Sequence, residues 1–136
     1  MFSDRQVIGA SSVIRAPLAI SLGAIAGALS RYYVSIALSH GFGAAFPFGT
    51  FFVNLSGAFA MGWFSSLAIF RTSPDLRLLI AVGLLGSYTT FSSYELDAYK
   101  LLVSGQGQVA ALYWIGSPIL GLLGVECGRR MAQRRS

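Results

Sequence analysis

Charge and cysteine are both scarce in this sequence of 136 residues. Asp, Glu, Lys and Arg make up 11% of the residues, 54% are hydrophobic and the mean hydropathy is +0.65. A soluble domain carries about 25% charged residues, so the composition favours one integral membrane domain over residues 1–136. The one cysteine, Cys127, excludes an internal disulfide, and the one histidine, His40, cannot form a zinc site alone.

Signatures of nucleic-acid binding, secretion and catalysis are also lacking. The net charge is +5, but the basic residues lie mainly in the tails and one loop rather than on a face with interleaved aromatics. The first long apolar run has no cleavage-type ending before Arg31. No nucleophile, base and orienting group occur at a usable spacing. We therefore expect neither a nucleic-acid-binding protein nor an enzyme.

Long apolar runs, in contrast, occupy most of the chain. A helix needs about 20 apolar residues to cross a hydrocarbon core of about 30 Å, and four stretches meet this requirement: 17–38, 47–70, 76–103 and 109–128. The predicted fold is an all-α integral membrane protein with four transmembrane helices. Such a unit is small for a pore or transporter, so we expect it to assemble with a second copy or a homologue.

Two pairs of glycines predict close helix packing. Gly23 and Gly27 in the first span, and Gly124 and Gly128 in the fourth, have the spacing that lets helix backbones approach. The spacing leaves open whether either pair packs within the chain or at a subunit interface. Glu126, near the end of the fourth span, is expected to be neutralised by the two arginines that follow it.

The run GLLGSYTTFSSY, from Gly83 to Tyr94, interrupts the third span. It contains two glycines and five Ser or Thr residues, which are poor helix formers. We predict a break in the third helix at membrane depth. An unwound segment there leaves backbone groups unsatisfied at several kcal/mol each, so it must be buried in protein, line water or bind an ion.

Polar side chains share faces on the second and fourth spans. Thr50 and Asn54 lie four residues apart in the second span. An amide within a membrane helix must find partners, so Asn54 is either a link between helices or a ligand group. Tyr113 and Ser117 form a similar face in the fourth span. Arg31, near the end of the first span, is predicted to be a structural anchor whose stem snorkels to the interface.

These motifs together resemble the Fluc (CrcB) family of fluoride channels. The likeness covers almost the whole chain in order, through GALSRY, FPFGTFFVN, GLLGSYTTFSS and the Tyr113 and Ser117 face. The resemblance implies a dimer of two four-span subunits inserted in opposite orientations, with two fluoride pores and a central structural sodium ion. It also implies passive fluoride efflux across the cell membrane, which lowers fluoride toxicity.

The resemblance further assigns roles to individual residues. The sodium ligands would be the main-chain carbonyls of Gly86 and Thr89 from both subunits. The two pore phenylalanines of the family match Phe91 and Tyr94. The second match is a departure, because Tyr94 keeps the ring edge and adds a hydroxyl donor. The implied fluoride pathway comprises Asn54, Phe91, Tyr94, Thr50, Tyr113 and Ser117.

Basic residues are distributed unevenly between the two ends of the spans. Lys100, and Arg31 near the end of the first span, lie on the side opposite the termini. The residues on the side of the termini are Arg5, Arg15, Arg71, Arg77, Arg129, Arg130, Arg134 and Arg135. The positive-inside rule then places both termini in the cytoplasm. Our hypothesis is that this subunit inserts in one orientation and pairs with an oppositely biased homologue.

Two other functions fit parts of the sequence. A small multidrug-type transporter subunit also has four short spans, but its first span would carry a carboxylate for proton coupling, and this first span has none. A noncatalytic membrane assembly protein fits the hydropathy. It leaves the interrupted third span and Asn54 unexplained.

Overall fold

The computed structural model describes residues 10–43 and 45–134, with side chains from Arg15 onward, and every regular element in these ranges is a helix. The α-helices are α1 (Ala10–Phe42), α2 (Phe48–Ser66), α3 (Ala68–Thr72), α4 (Pro74–Arg77), α5 (Gly86–Tyr88), α6 (Phe91–Val103) and α7 (Gly107–Gln133). A π-helix, Leu78–Leu85, lies between α4 and α5. Arg5 and Arg135, which the charge analysis used, lie outside the described residues.

Three helical segments in the described chain are long and apolar enough to cross a membrane: Arg15–Phe42, Pro74–Val103 and Gly107–Gln133. They correspond to the first, third and fourth predicted spans. The second predicted span corresponds to α2, whose 19 residues extend about 28 Å at the usual helical rise. A continuous helix to Phe70 was a wrong prediction, because Leu67 has an extended backbone (φ −75°, ψ 137°) that ends α2.

The π-helix was not predicted from the sequence. Its wider turn lies against α1, and Gly83 within it is buried there. A Cβ at Gly83 would come within 2.5 Å of the Ile20 carbonyl oxygen, and one at Gly23 or Gly27 would collide with backbone of the π-helix. The glycine pair of the first span therefore packs within the chain and lets two backbones touch.

Gly128 of the second glycine pair, together with Gly62, has the same role between α2 and α7. A Cβ on Gly128 would collide with the Phe59 carbonyl oxygen, and one on Gly62 with the Val125 carbonyl oxygen. Gly124 faces Leu55 at ordinary contact distance. The chain thus forms two tightly packed units, α1 with the π-helix and α2 with α7. The rest of the third segment, which includes α6, joins the two units.

The outer surface is apolar, whereas the buried core is small. The core cluster consists of Tyr94, Ala98, Leu101, Ala110 and Tyr113. Large side chains are exposed all along the helices, including Leu22, Leu112 and Leu122 at 63%, 75% and 73%. Apolar surface on this scale is stable only against lipid or another subunit, which agrees with a membrane protein. At the end of α7, Glu126 pairs with Arg129 and Arg130 as expected, at 2.7 and 2.6 Å.

Candidate functional site at the break in the third segment

The third membrane segment is broken at two residues. Thr89 (φ −78°, ψ 156°) and Thr90 (φ −150°, ψ 120°) are extended, and α6 begins at the next residue. The break therefore lies inside the predicted run. Gly86 keeps helical dihedrals (φ −63°, ψ −32°), so the break begins after it.

Asn54 of α2 satisfies the backbone of the break. Its Nδ2 donates to the Thr90 carbonyl oxygen at 2.9 Å, and its Oδ1 accepts from the Thr90 N–H at 2.8 Å. This reciprocal pair replaces both hydrogen bonds that Thr90 loses by leaving the helix. The sequence left the role of Asn54 open, and the structure makes it a link between helices. The second hydrogen of its amide is not used in this pair, so a role as a ligand group is also compatible with this geometry.

The two threonine side chains complete the ends of the broken helix. Thr89 Oγ1 donates to the Leu85 carbonyl oxygen at 3.0 Å, and Thr90 Oγ1 accepts from the Ser93 N–H at 3.2 Å as the N-cap of α6. The capping role of Thr90 was not predicted from the sequence. The available signal was a threonine directly before the point where helical patterning resumes.

A groove of about 450 Å³ opens beside the break. Asn54 and Thr90 line it together with Phe91 and Tyr94 of α6 and Ser117 of α7. The Phe91 ring is 74% exposed and the Tyr94 ring 6%, with their centroids 5.7 Å apart. Ring edges carry partial positive charge. The groove therefore combines an amide, hydroxyls and aromatic edges without a fixed cation.

Two hydroxyls of α7 are buried without a partner among the described residues, Tyr113 Oη and Ser117 Oγ. They lie one helical turn apart, and Tyr113 is only 2% exposed. The Tyr113 ring is held edge-on by Phe46 at 5.5 Å and packs on Tyr94 at 5.3 Å. A buried polar group is normally hydrogen-bonded, and among the described residues these two hydroxyls have no such partner.

Tyr94 does not present its hydroxyl to the groove. The hydroxyl donates instead to the main-chain carbonyl oxygen of Trp114 in α7. The sequence left open where this hydroxyl points, and in this structure it points to α7. The ring lines the groove, so only the aromatic part of the predicted role remains.

Thr50 and Arg31 lie in a second, more polar groove of about 520 Å³ between α1 and the third segment, which also includes Asp97 and Lys100. Thr50 Oγ1 donates to Asp97 Oδ2 at 2.6 Å, so its proton is directed to a carboxylate. Asp97 was not predicted to contact the second span. Of the predicted pathway residues, Thr50 lies in this groove, whereas Asn54, Phe91, Tyr94 and Ser117 line the groove beside the break. Tyr113 packs on Tyr94.

Most of the chain matches one known protein family. Residues 18–129 match the family described as CrcB-like protein, Camphor Resistance (CrcB). The chain belongs to the CrcB family. The matched CrcB region contains α2, both residues of the break and most of α1 and α7.

Named relatives of this CrcB chain include three proteins that are each called fluoride-specific ion channel FluC. The protein from Trichormus variabilis is 54% identical over 118 residues, covering 85% of this chain and 86% of the relative. The Synechococcus protein is 48% identical, covering 90% and 96%. The Synechocystis protein is 50% identical, covering 89% and 95%. This CrcB chain thus spans nearly the full length of these three relatives.

Proposed function

We propose that this chain is a subunit of a fluoride-specific ion channel that releases fluoride passively across the cell membrane. The observation that carries the proposal is the pair of buried, unpartnered hydroxyls, Tyr113 Oη and Ser117 Oγ, beside the groove that Asn54 and Phe91 line. The CrcB membership and the channels named among its relatives supply the identity of the anion.

The groove chemistry suits a small, strongly hydrated anion. Hydrogen-bond donors replace water around the ion, and the absence of a fixed cation in the groove lets the ion leave. Hydrogen fluoride enters neutral and dissociates inside. An interior-negative potential then favours anion exit by about 2.3 kcal/mol per 100 mV, so passive flow protects the cell.

The working channel is proposed to be an antiparallel dimer of four-span subunits. The largely exposed apolar surface, with Phe91 among the exposed rings, supports a partner or lipid around each helix. The uneven distribution of arginines supports one orientation for this chain, with cytoplasmic termini. The partner is then an oppositely biased homologue rather than a second copy.

A structural sodium ion is proposed at the break, held by the carbonyls of Gly86 and Thr89. In an unbroken helix these carbonyls would accept from the N–H groups of Thr90 and Ser93. Those N–H groups donate instead to Asn54 Oδ1 and Thr90 Oγ1. Neither carbonyl receives its usual helical donor, and main-chain oxygens of broken helices are suited to sodium. The ion would stabilise the break without being transported.

Fluoride efflux from liposomes tests the proposed function. Purified protein is reconstituted alone and with a CrcB homologue of opposite arginine bias, and efflux is followed with a fluoride electrode, with chloride as control. We expect fluoride-selective efflux when both chains are present. No fluoride efflux under either condition contradicts the channel, whereas efflux through an antiparallel dimer of this chain alone contradicts only the heterodimer.

Replacement of Ser117 by alanine is expected to affect conduction and stability in opposite directions. Loss of one donor to an ion lowers fluoride flux by about tenfold or more, since such bonds contribute about 1.5–3 kcal/mol. Stability rises slightly, because a buried hydroxyl without a partner is removed. Flux in liposomes and unfolding in SDS measure the two effects.

The matched control for Ser117→Ala is Ser65→Ala. The Ser65 hydroxyl donates to the Gly62 carbonyl oxygen within its own helix, at 3.0 Å. Its removal should leave fluoride flux unchanged. Equal flux in the Ser117→Ala protein and the unmodified protein would show that this hydroxyl does not face the ion.

A further inference from the structure

The helix α7 contains a proline at position 118, directly after Ser117. Proline has no N–H, so it cannot donate to the carbonyl four residues earlier in the helix. That carbonyl belongs to Trp114. In a membrane, a main-chain carbonyl without a donor is costly because no water replaces the missing bond.

The hydroxyl of Tyr94 reaches this same carbonyl. Tyr94 Oη donates a hydrogen bond to the Trp114 carbonyl oxygen from the neighbouring helix α6. The Tyr94 side chain is 6% exposed, so the contact is shielded. A side chain of α6 therefore supplies the donor that Pro118 removed from α7.

Trp114 is also held through its side chain. Its indole Nε1 donates to Glu95 Oε1 at 3.2 Å. Two successive residues of α6, Tyr94 and Glu95, thus hold the backbone and the ring of one residue of α7. The same turn of α7 carries Tyr113, whose ring packs on Tyr94 at 5.3 Å.

We propose that Tyr94 is a positioning residue whose hydroxyl satisfies the Trp114 carbonyl left without its helical donor by Pro118. The bond ties the proline turn of α7 to the first turn of α6 after the break. It thereby sets where Ser117 and Tyr113 lie relative to Phe91. The importance of this placement for fluoride rests on the proposed channel function. The hydrogen bond between Tyr94 and Trp114 does not depend on that function.

Solid-state NMR of the full chain in lipid bilayers tests the bond. Only Trp114 among the two tryptophans is followed by isoleucine, so ¹³C-carbonyl tryptophan with ¹⁵N-isoleucine selects one carbonyl resonance. Tyr94→Phe is expected to move it to lower ppm, because the donor is lost. Tyr99→Phe, on the exposed side of α6, is the control and should leave it in place.

The variant Pro118→Ala supplies the missing N–H and makes the test specific. In the Pro118→Ala background, Tyr94→Phe should shift the Trp114 resonance much less, and it should raise the unfolding constant in SDS by less than about twofold, against about tenfold in the parent chain. Pro118→Ala alone should move the resonance to higher ppm, since the carbonyl then has two donors.

Two outcomes overturn the proposal. One is a Trp114 resonance that is unmoved in Tyr94→Phe. The other is an equal displacement with proline or alanine at position 118. Both are read without fluoride, so a chain that conducts no fluoride would contradict the proposed channel and leave this result standing.

Discussion

Replacing Asn54 with leucine is expected to lower fluoride flux by at least about a hundredfold. Leucine is similar in size but has no polar atoms, so the N–H and the carbonyl of Thr90 both lose their partner. Each unsatisfied backbone group costs about 1–3 kcal/mol. The free energy lost at the break is then about 2–6 kcal/mol, enough to rearrange Thr89 and Thr90 and close the groove beside them.

A second substitution at the same position separates the link from the ion contact. Asn54→Asp keeps the acceptor for the Thr90 N–H but removes the donor to the Thr90 carbonyl and adds a negative charge beside the groove. We expect flux as low as in Asn54→Leu, with a smaller loss of stability. Flux is measured in liposomes and stability by unfolding in SDS.

The hydrogen bonding of Asn54 can be observed in the unmodified chain without measuring flux. Asn54 is the only asparagine in the sequence, so ¹⁵N-asparagine labelling gives a single side-chain amide signal. Asn54→Gln retains both hydrogen-bonding groups on a longer stem and should keep more flux than Asn54→Leu. Normal flux in Asn54→Leu would show that the break does not depend on this amide.

Replacing Gly128 with alanine is expected to destabilise the protein by about 1–3 kcal/mol, the range for forcing extra atoms into a packed contact. The new methyl would collide with the Phe59 carbonyl oxygen and lie 2.9 Å from the Trp63 backbone nitrogen. Both are main-chain atoms, so the helices α2 and α7 must separate. The separation would displace Asn54 from Ser117, and flux should fall with stability.

The control for Gly128 is Gly116 in the same helix. A Cβ at Gly116 meets no atom within 4 Å, and alanine favours a helix by about 1 kcal/mol over glycine. Gly116→Ala should therefore leave the chain as stable or slightly more stable in SDS unfolding. If the two alanine variants unfold alike, the contact between α2 and α7 is looser than the structure indicates.

The sequence predicted the polar groups around the break better than their partners. The Gly, Ser and Thr content of residues 83–94 located the interruption, but Gly86 remained helical and the extended residues were Thr89 and Thr90. Local composition indicates where a helix is weak. The residues that leave the helix are those for which a partner exists, and Asn54 lies 36 positions away.

The π-helix and the role of Tyr94 also depend on partners that are distant in the sequence. The apolar run Leu78–Leu85 has the same hydropathy in an α-helix and in a π-helix, so hydropathy does not distinguish the two. The contact of Gly83 with α1 joins parts of the chain that are distant in sequence. The proline at position 118 leaves the Trp114 carbonyl without its helical donor. Only the approach of α6 showed that the Tyr94 hydroxyl supplies a donor in its place.

By itself the sequence determined the membrane environment, the long helices, the sites of close helix packing and the family. These properties depend on composition, short-range spacing and short motifs, which can be read without knowing how the helices pack. The tertiary structure alone decided which hydroxyls are satisfied, as at Tyr94, and which are left without a partner, as at Tyr113 and Ser117. A hydrogen bond of this kind joins two helices, so its existence depends on their relative placement and not on either sequence segment.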